Sequence, residues 1–377
     1  MPKNKILIIG SLANSLIHFR GDLIKSLTNA GYQVYAAAPQ MDKATIESLK
    51  KLNAVPLQFE LQRTGLNPFK DLKAILQLKK IIHKHEIDLV FPYTIKPVIY
   101  GSIAARLNHT AAISLITGLG FTFSASSSKA RSLQRITEFL YKIALRKNKV
   151  VIFQNSDDLK LFKDRSLINH NQKTALVNGS GVHLDKYPYR VNKKPPDRMI
   201  FVMVARLIRE KGIDLYVDAA KKLKSKYPYA EFHVVGSPNS SPSAISEEHL
   251  MELNHKGIIV YHGFQENVPM LLSKSDVFVL PSYYREGIPR SILEALSIGM
   301  PIITTNTPGC KETIVPNKNG ILIEPNNLHY LILAMEHFLK KPKIIEEMGI
   351  ASRKLAEDKF DVDIINKNIL LILQKQI

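Results

Sequence analysis

The segment Pro281-Ser-Tyr-Tyr-Arg-Glu286-Gly287-Ile288-Pro289-Arg290-Ser291-Ile292-Leu293-Glu294 sets two carboxylates in an E-x7-E spacing across a loop-to-helix junction. A buried strand closing at Pro281 would pass Glu286 to a loop, where Gly287 permits close backbone approach. Pro289 suits the start of a helix. Amides of residues 288–291 would then point out of a helix N-terminus, which is a ready anion site. Glu294 taken alone reads as a solvated helix face. Taken with Glu286 and the loop, it reads as a second contact to the same ligand.

A second segment, Val204-Ala205-Arg206-Leu207-Ile208-Arg209-Glu210-Lys211-Gly212, follows an apolar run directly. Arg206 and Lys211 flank a strand-to-helix turn. A guanidinium fork and an ammonium point charge can hold a diphosphate between them. On this fragment alone, a polar turn with solvated charges is an equal reading.

Elements that position these residues can be read from periodicity. Apolar runs at 5–10, 33–38, 87–91, 110–117 and 149–153 alternate with helical patterns at 19–30 and 70–85. That alternation predicts a parallel sheet covered on both faces. A Pro- and Lys-bearing linker at 187–198 precedes a second series. It has strands at 199–205, 231–236, 258–261, 277–281, 301–305 and 320–323, with helices at 212–226, 289–298 and 327–340. A last helix at 362–374 is apolar on several faces. The expected class is α/β: two doubly wound Rossmann-like domains facing across a cleft. The expected domains are 1–188 and 189–360, with 361–377 packing back toward the first. Ligands of such sheets bind outside the carboxyl ends of the strands.

Length and composition agree. The 377 residues, 45% hydrophobic and 23% charged, suit two globular domains. One cysteine, Cys310, excludes an internal disulfide and a Cys-built zinc site, and suits a reducing compartment. Residues 107–128 carry no formal charge, but Asn108, Gly118 and Gly120 break them, so they read as a strand entering a loop rather than a membrane span. The net charge of +19 is lopsided: residues 1–190 carry +16 and the remainder +3. Such a field predicts an anionic partner for the first half. The helical pattern from Lys129 to Lys149 sets Leu133, Ile136, Phe139, Leu140 and Ile143 on one side, with Arg131 and Arg135 nearby. It could lie on an anionic bilayer or face the core with its charges solvated.

Together these motifs, with Asn178-Gly-Ser-Gly181-Val182, resemble the family 4 glycosyltransferases over essentially the whole chain. The resemblance implies the GT-B fold and a retaining, metal-independent transfer from a UDP-sugar, with no further cofactor. Glu286 would face the donor sugar and Glu294 the ribose. Arg206 and Lys211 would neutralise the diphosphate, with Gly287, Ile288, Pro289 and Gly181 completing the donor site. The first half is similar to members acting on undecaprenyl-diphosphate-linked sugars in bacterial surface polysaccharide or O-antigen assembly, many moving N-acetylgalactosamine. The stretches that carry this are 10–20, 93–101 and 116–121. They imply an acceptor side containing Ser11, Asn14, His18, Arg20, Thr117 and Gly118, with Lys129, Arg131 and Arg135 at the membrane. Expected partners are a nucleotide sugar, a polyprenyl-diphosphate-linked acceptor and an anionic membrane surface, without nucleic acid. The expected location is the inner face of the cytoplasmic membrane. A nucleotide-sugar epimerase or phosphorylase would lack this Arg-Lys turn and Glu-loop-Glu pair. A nucleic-acid binder would set aromatics among the basic residues, and the chain has no Trp.

Overall fold

The computed structural model describes residues 4–62, 65, 67–120, 123, 128–190, 198–237 and 243–376; the side chains of 128–130 lie outside that description. They form two compact units, 1–180 with 363–377, and 181–362.

In the first unit, β1 (Lys5–Ile9), β2 (Gln33–Ala38), β3 (Ala54–Gln58), β4 (Leu89–Pro92), β5 (Ala111–Ile116), β6 (Val150–Phe153) and β7 (Thr174–Leu176) build a parallel sheet of order β3-β2-β1-β4-β5-β6-β7. Its central strands are buried on both faces, so the core divides by alternation along them, while the edge strands β3 and β7 are partly exposed. Leu7 and Ile9 enter one cluster with Ala74, Leu78 and Ile82 of the helix Pro68–His85, Val98 of the helix Ile95–Leu107, and Tyr141 and Leu145 of the helix Ser128–Leu145. Ile6 and Ile8 enter the other, with Leu23, Ile24 and Leu27 of the helix Gly21–Asn29 and with Ile365, Ile369 and Leu373 of the helix Val362–Gln374. The last helix of the chain is thus part of the first unit's core. Burying each such chain contributes ~1.5–3 kcal/mol relative to exposure.

The second unit holds β8 (Met199–Val204), β9 (Ala230–Val235), β10 (Val260–Tyr261), β11 (Val277–Leu280), β12 (Ile302–Thr305) and β13 (Gly320–Ile323), parallel in the order β10-β9-β8-β11-β12-β13. In both sheets the strand order reverses beside the first strand, between β1 and β4 and between β8 and β11. Loops leaving those strands at their carboxyl ends part in opposite directions, and the gap they leave is where ligands of such sheets bind.

Several local expectations change. The boundary between units falls at 180/181 rather than 188/189, because Val182 bridges the segment 360–362 and Tyr187 joins the second core. Residues 191–197 of the linker lie outside the described residues. The helix expected at 19–30 runs Gly21–Asn29; a separate short helix, Ala13–His18, precedes it, and the two are divided at Arg20, whose backbone is non-helical. Strand β3 was not apparent in the sequence, because Pro56 sits within it. As an edge strand, β3 can tolerate the missing amide hydrogen.

Candidate active site

In the second unit, β8 ends at Val204 and the chain runs through Arg206 to a short 3-10 turn, Arg209–Lys211. Gly212 follows in the left-handed region at φ +81°, and a Cβ there would stand 2.2 Å from the Pro281 carbonyl oxygen. Only glycine lets this turn lie against the end of β11. That contact brings the two candidate segments together. The Lys211 ammonium makes a direct ion pair with a Glu286 carboxylate oxygen, and both side chains are about nine-tenths buried, at 9% and 11% exposure. The Ser282 hydroxyl lies 3.2 Å from both the same Glu286 oxygen and the Glu210 carbonyl oxygen, and its single proton is shared between these two acceptors. Tyr284 brings its ring under both cations: the Arg206 guanidinium lies 5.7 Å and the Lys211 ammonium 5.4 Å from its centre.

The loop after β11 feeds the helix Arg290–Ile298, whose N-terminus is capped by Pro289 and by no side chain. The first-turn amides of this helix therefore keep the anion-attracting character of a helix start. Below them, Glu294 is not solvated: its side chain is 13% exposed and meets Arg290 at 3.2 Å, and it accepts a hydrogen bond from Tyr187. Burial pushes its carboxyl above the usual range, against the opposing pull of Arg290. The loop is braced from β12. Thr305 and Thr307 donate to the Ser282 carbonyl, and Gly309, at φ +87°, packs against Gly287.

The first unit has its own cluster at the carboxyl ends of adjacent strands β1, β4 and β5. The Ser11 hydroxyl accepts from Thr94 at 3.1 Å, and the Ser15 and Tyr93 hydroxyls pair at 2.7 Å. Arg20 is buried with its guanidinium 5.0 Å from the centre of the Tyr93 ring. Burial pushes the Tyr93 phenol up to about 12, so it stays protonated and can donate. Thr94 has φ +69°, a strained conformation for a β-branched residue at the point where β4 enters its helix. Thr117 and Gly118 follow β5, half-buried, with Gly118 at φ +99°.

Residues 5–155 match the family model of glycosyl transferase 4-like domains, and residues 189–355 match that of glycosyl transferases group 1. The chain belongs to the family 4 glycosyltransferases. The glycosyltransferase is 28% identical over 381 residues to the N,N'-diacetylbacillosaminyl-diphospho-undecaprenol alpha-1,3-N-acetylgalactosaminyltransferase of Campylobacter jejuni, covering 96% of each chain. It is 28% identical over 282 residues to the UDP-Gal:alpha-D-GlcNAc-diphosphoundecaprenol alpha-1,3-galactosyltransferase of Escherichia coli, covering 72% of this chain and 71% of the other. Among solved structures it superposes on the Anabaena protein HepE, crystallised with UDP-glucose, with a TM-score of 0.76 at 19% identity, covering 98% and 99% of the two chains. That likeness establishes the GT-B fold, two Rossmann-like parallel-sheet domains.

Within this glycosyltransferase fold, Arg206, Lys211, Glu286 and Gly287 gather at one end of the second sheet, with Ile288 and Pro289 leading into the helix that carries Glu294. Gly181 has a packing reason of its own, because a Cβ there would stand 2.5 Å from Val362 Cα. In the first unit Ser11, Thr117 and Gly118 share the strand ends, whereas Asn14 and His18 are exposed on the short helix Ala13–His18. Arg131 and Arg135 are exposed on the helix Ser128–Leu145; the Lys129 side chain lies outside the described residues. Sequence reasoning missed Ser282, Tyr284 and Thr94 as positioning residues. Ser282 and Tyr284 lie inside the E-x7-E segment already singled out, so their place beside Glu286 was the available signal.

Gly309 gives a direct test of the brace. A Cβ there would lie 1.9 Å from the Gly287 carbonyl oxygen and 2.8 Å from Glu286 Cβ. Gly309→Ala should destabilise the second unit by about 2–4 kcal/mol and displace the Glu286 loop. Calorimetric unfolding should show a lowered transition, and UDP titration of the still-folded protein a weakened affinity. An unchanged melt would mean that the loop is not seated on Gly309.

Proposed function

We propose that this glycosyltransferase moves a hexosyl unit, of the N-acetylgalactosamine type, from a UDP-sugar to a sugar carried on undecaprenyl diphosphate, with retention at the anomeric carbon. The observation that carries it is the Lys211–Glu286 pair beside the side-chain-free N-terminus of the helix Arg290–Ile298. A nucleotide diphosphate placed there would take up Lys211 and Arg206 and release Glu286 toward the sugar. As the anomeric carbon–oxygen bond to the diphosphate breaks, negative charge builds on the leaving phosphate, where these cations and the helix start stabilise it. Positive character on the sugar ring falls to the Glu286 carboxylate. The acceptor hydroxyl forms the new bond on the same face and gives up its proton to the departing phosphate. Metal is not required by this scheme, since the cations of the chain carry the charge.

Support for the acceptor class comes from the names of two relatives, both diphospho-undecaprenol sugar transferases, one of N-acetylgalactosamine and one of galactose. The reaction would take place at the inner face of the cytoplasmic membrane, as one step of surface polysaccharide assembly.

A donor panel of UDP- and GDP-sugars with a polyprenyl-diphosphate-linked acceptor tests this, read as nucleotide release and as the anomeric configuration of the product. UDP-N-acetylgalactosamine should be turned over fastest, with an α-linked product and no loss of rate in a chelator. A preference for GDP-sugars, or an inverted product, would overturn the reading.

A further inference from the structure

The helix Pro68–His85 has two apolar faces. Ala74, Leu78 and Ile82 are buried in the first unit's core. On the opposite side, Phe69, Leu72 and Leu76 stand at helical spacing of one stripe, exposed to 87%, 54% and 53%. The same outward face continues into Lys80 and Lys84. Its one acidic residue, Asp71, is turned away and pairs with Lys96 at 3.0 Å. A helix that only covered a core would carry polar residues there.

The helix Ser128–Leu145 repeats the pattern. Ile136 and Phe139 are exposed to 46% and 62%, flanked by exposed Arg131, Arg135 and Lys142, while Glu138 is neutralised by Arg165. Both helices pack on the helix Ile95–Leu107 and feed the same core cluster, so they lie in one layer on one face of the sheet. Beside the first of them runs an open groove of about 860 Å³ against the edge strand β3, rimmed by Lys70, Lys80 and Lys84. Glu60 also lines the groove, where it is paired with Lys73 at 2.8 Å and feels the charge of Lys70.

We propose that the outer surface of this helix layer, centred on Phe69, Leu72 and Leu76 and extended by Ile136 and Phe139, is a docking surface for an anionic lipid bilayer. The apolar side chains would enter the headgroup region while the surrounding cations meet lipid phosphates. Charge decides the occupant. An apolar stripe ringed by cations, in a half-chain of charge +16, repels a second copy of itself and suits an anionic surface. The inference rests on the proposed lipid-linked acceptor for its purpose, but not for its test.

Because the chain has no Trp, Phe69→Trp places a single reporter in the stripe. Its emission should shift to the blue on phosphatidylglycerol-containing vesicles and stay unshifted on pure phosphatidylcholine at physiological salt. Cosedimentation of Phe69→Ser/Leu72→Ser/Leu76→Ser should show a partition coefficient ~10–100-fold below that of the parent chain, with the UDP dissociation constant and melting temperature unchanged. Parent binding should itself weaken with salt, as attraction screened over ~8 Å must. A control in the second unit, Tyr330→Ser/Leu333→Ser, should bind as the parent does. The proposal is overturned if the stripe variant sediments like the parent, if the control loses as much, or if the Trp reporter does not respond. It is also overturned if the stripe variant turns a dimer into a monomer without changing vesicle binding, since the occupant is then a second copy. Retained UDP binding in any of these outcomes leaves the donor-site reading standing.

Discussion

Glu286→Ala lowers turnover by about 10²–10³-fold while UDP affinity changes little. The carboxylate is assigned to charge that exists only in the transition state, so its removal should fall on kcat rather than on nucleotide binding. The Lys211–Glu286 ion pair sharpens this expectation. Glu286 neutralises Lys211 at a site where both are largely buried, so truncation leaves Lys211 without its carboxylate and free to meet a phosphate. UDP affinity should therefore stay level or rise. Glu286→Gln keeps an oxygen for Ser282 and the shape of the loop, and separates lost charge from lost packing. Steady-state rates and UDP calorimetry on both variants decide the matter. Near-parental turnover in Glu286→Gln would remove the carboxylate from the chemistry.

Lys211→Ala weakens UDP by about 10–100-fold and leaves uridine almost unaffected, because only the diphosphate draws on the ammonium. A charge-assisted contact contributes ~1.5–3 kcal/mol, which sets that range. Arg206→Ala should act in the same direction but less, since Arg206 is exposed where Lys211 is buried. Part of the effect will pass through Tyr284, whose ring holds both cations. Equal losses for UDP and uridine would make the turn a structural brace. Calorimetry with the two ligands at matched salt is the measurement.

Alternating apolar runs gave away most of the two parallel sheets, since strands buried on both faces are nearly continuous in Val, Ile, Leu and Ala. Elements without that contrast were hidden. Strand β3 carries Pro56. The helix Ile95–Leu107 is buried over most of its surface, with Pro97 and Gly101 inside it, and so shows no periodicity. At the site, residue type and spacing singled out two separate segments, and it was the resemblance that grouped Arg206, Lys211 and Glu286; the strand order that reverses beside β8 brings their loops together. Spacing could not reveal that Lys211 and Glu286 pair, that Tyr284 lies under two cations, or that Thr94 sits at positive φ. Those depend on backbone paths set by distant contacts such as Gly212 on Pro281 and Gly309 on Gly287. The helix Ser128–Leu145 was ambiguous for a related reason: Ile136 and Phe139 look like core residues, but Tyr141, Ala144 and Leu145 occupy the core.

The helix Val362–Gln374 has a consequence for biogenesis. Its residues Ile365, Ile369 and Leu373 fill the face of the first sheet formed by Ile6, Ile8, Ile113 and Leu115. As the chain leaves the ribosome, the second unit can be complete while the first still presents bare sheet. Native closure of the amino-terminal half must wait for a segment translated after the whole second unit, a contact of very large sequence separation and hence slow to form. During that interval the waiting surface is open to chaperones or to aggregation. A nonsense codon at residue 363 would therefore damage the half of the protein made first, and leave the second unit, 181–362, whole.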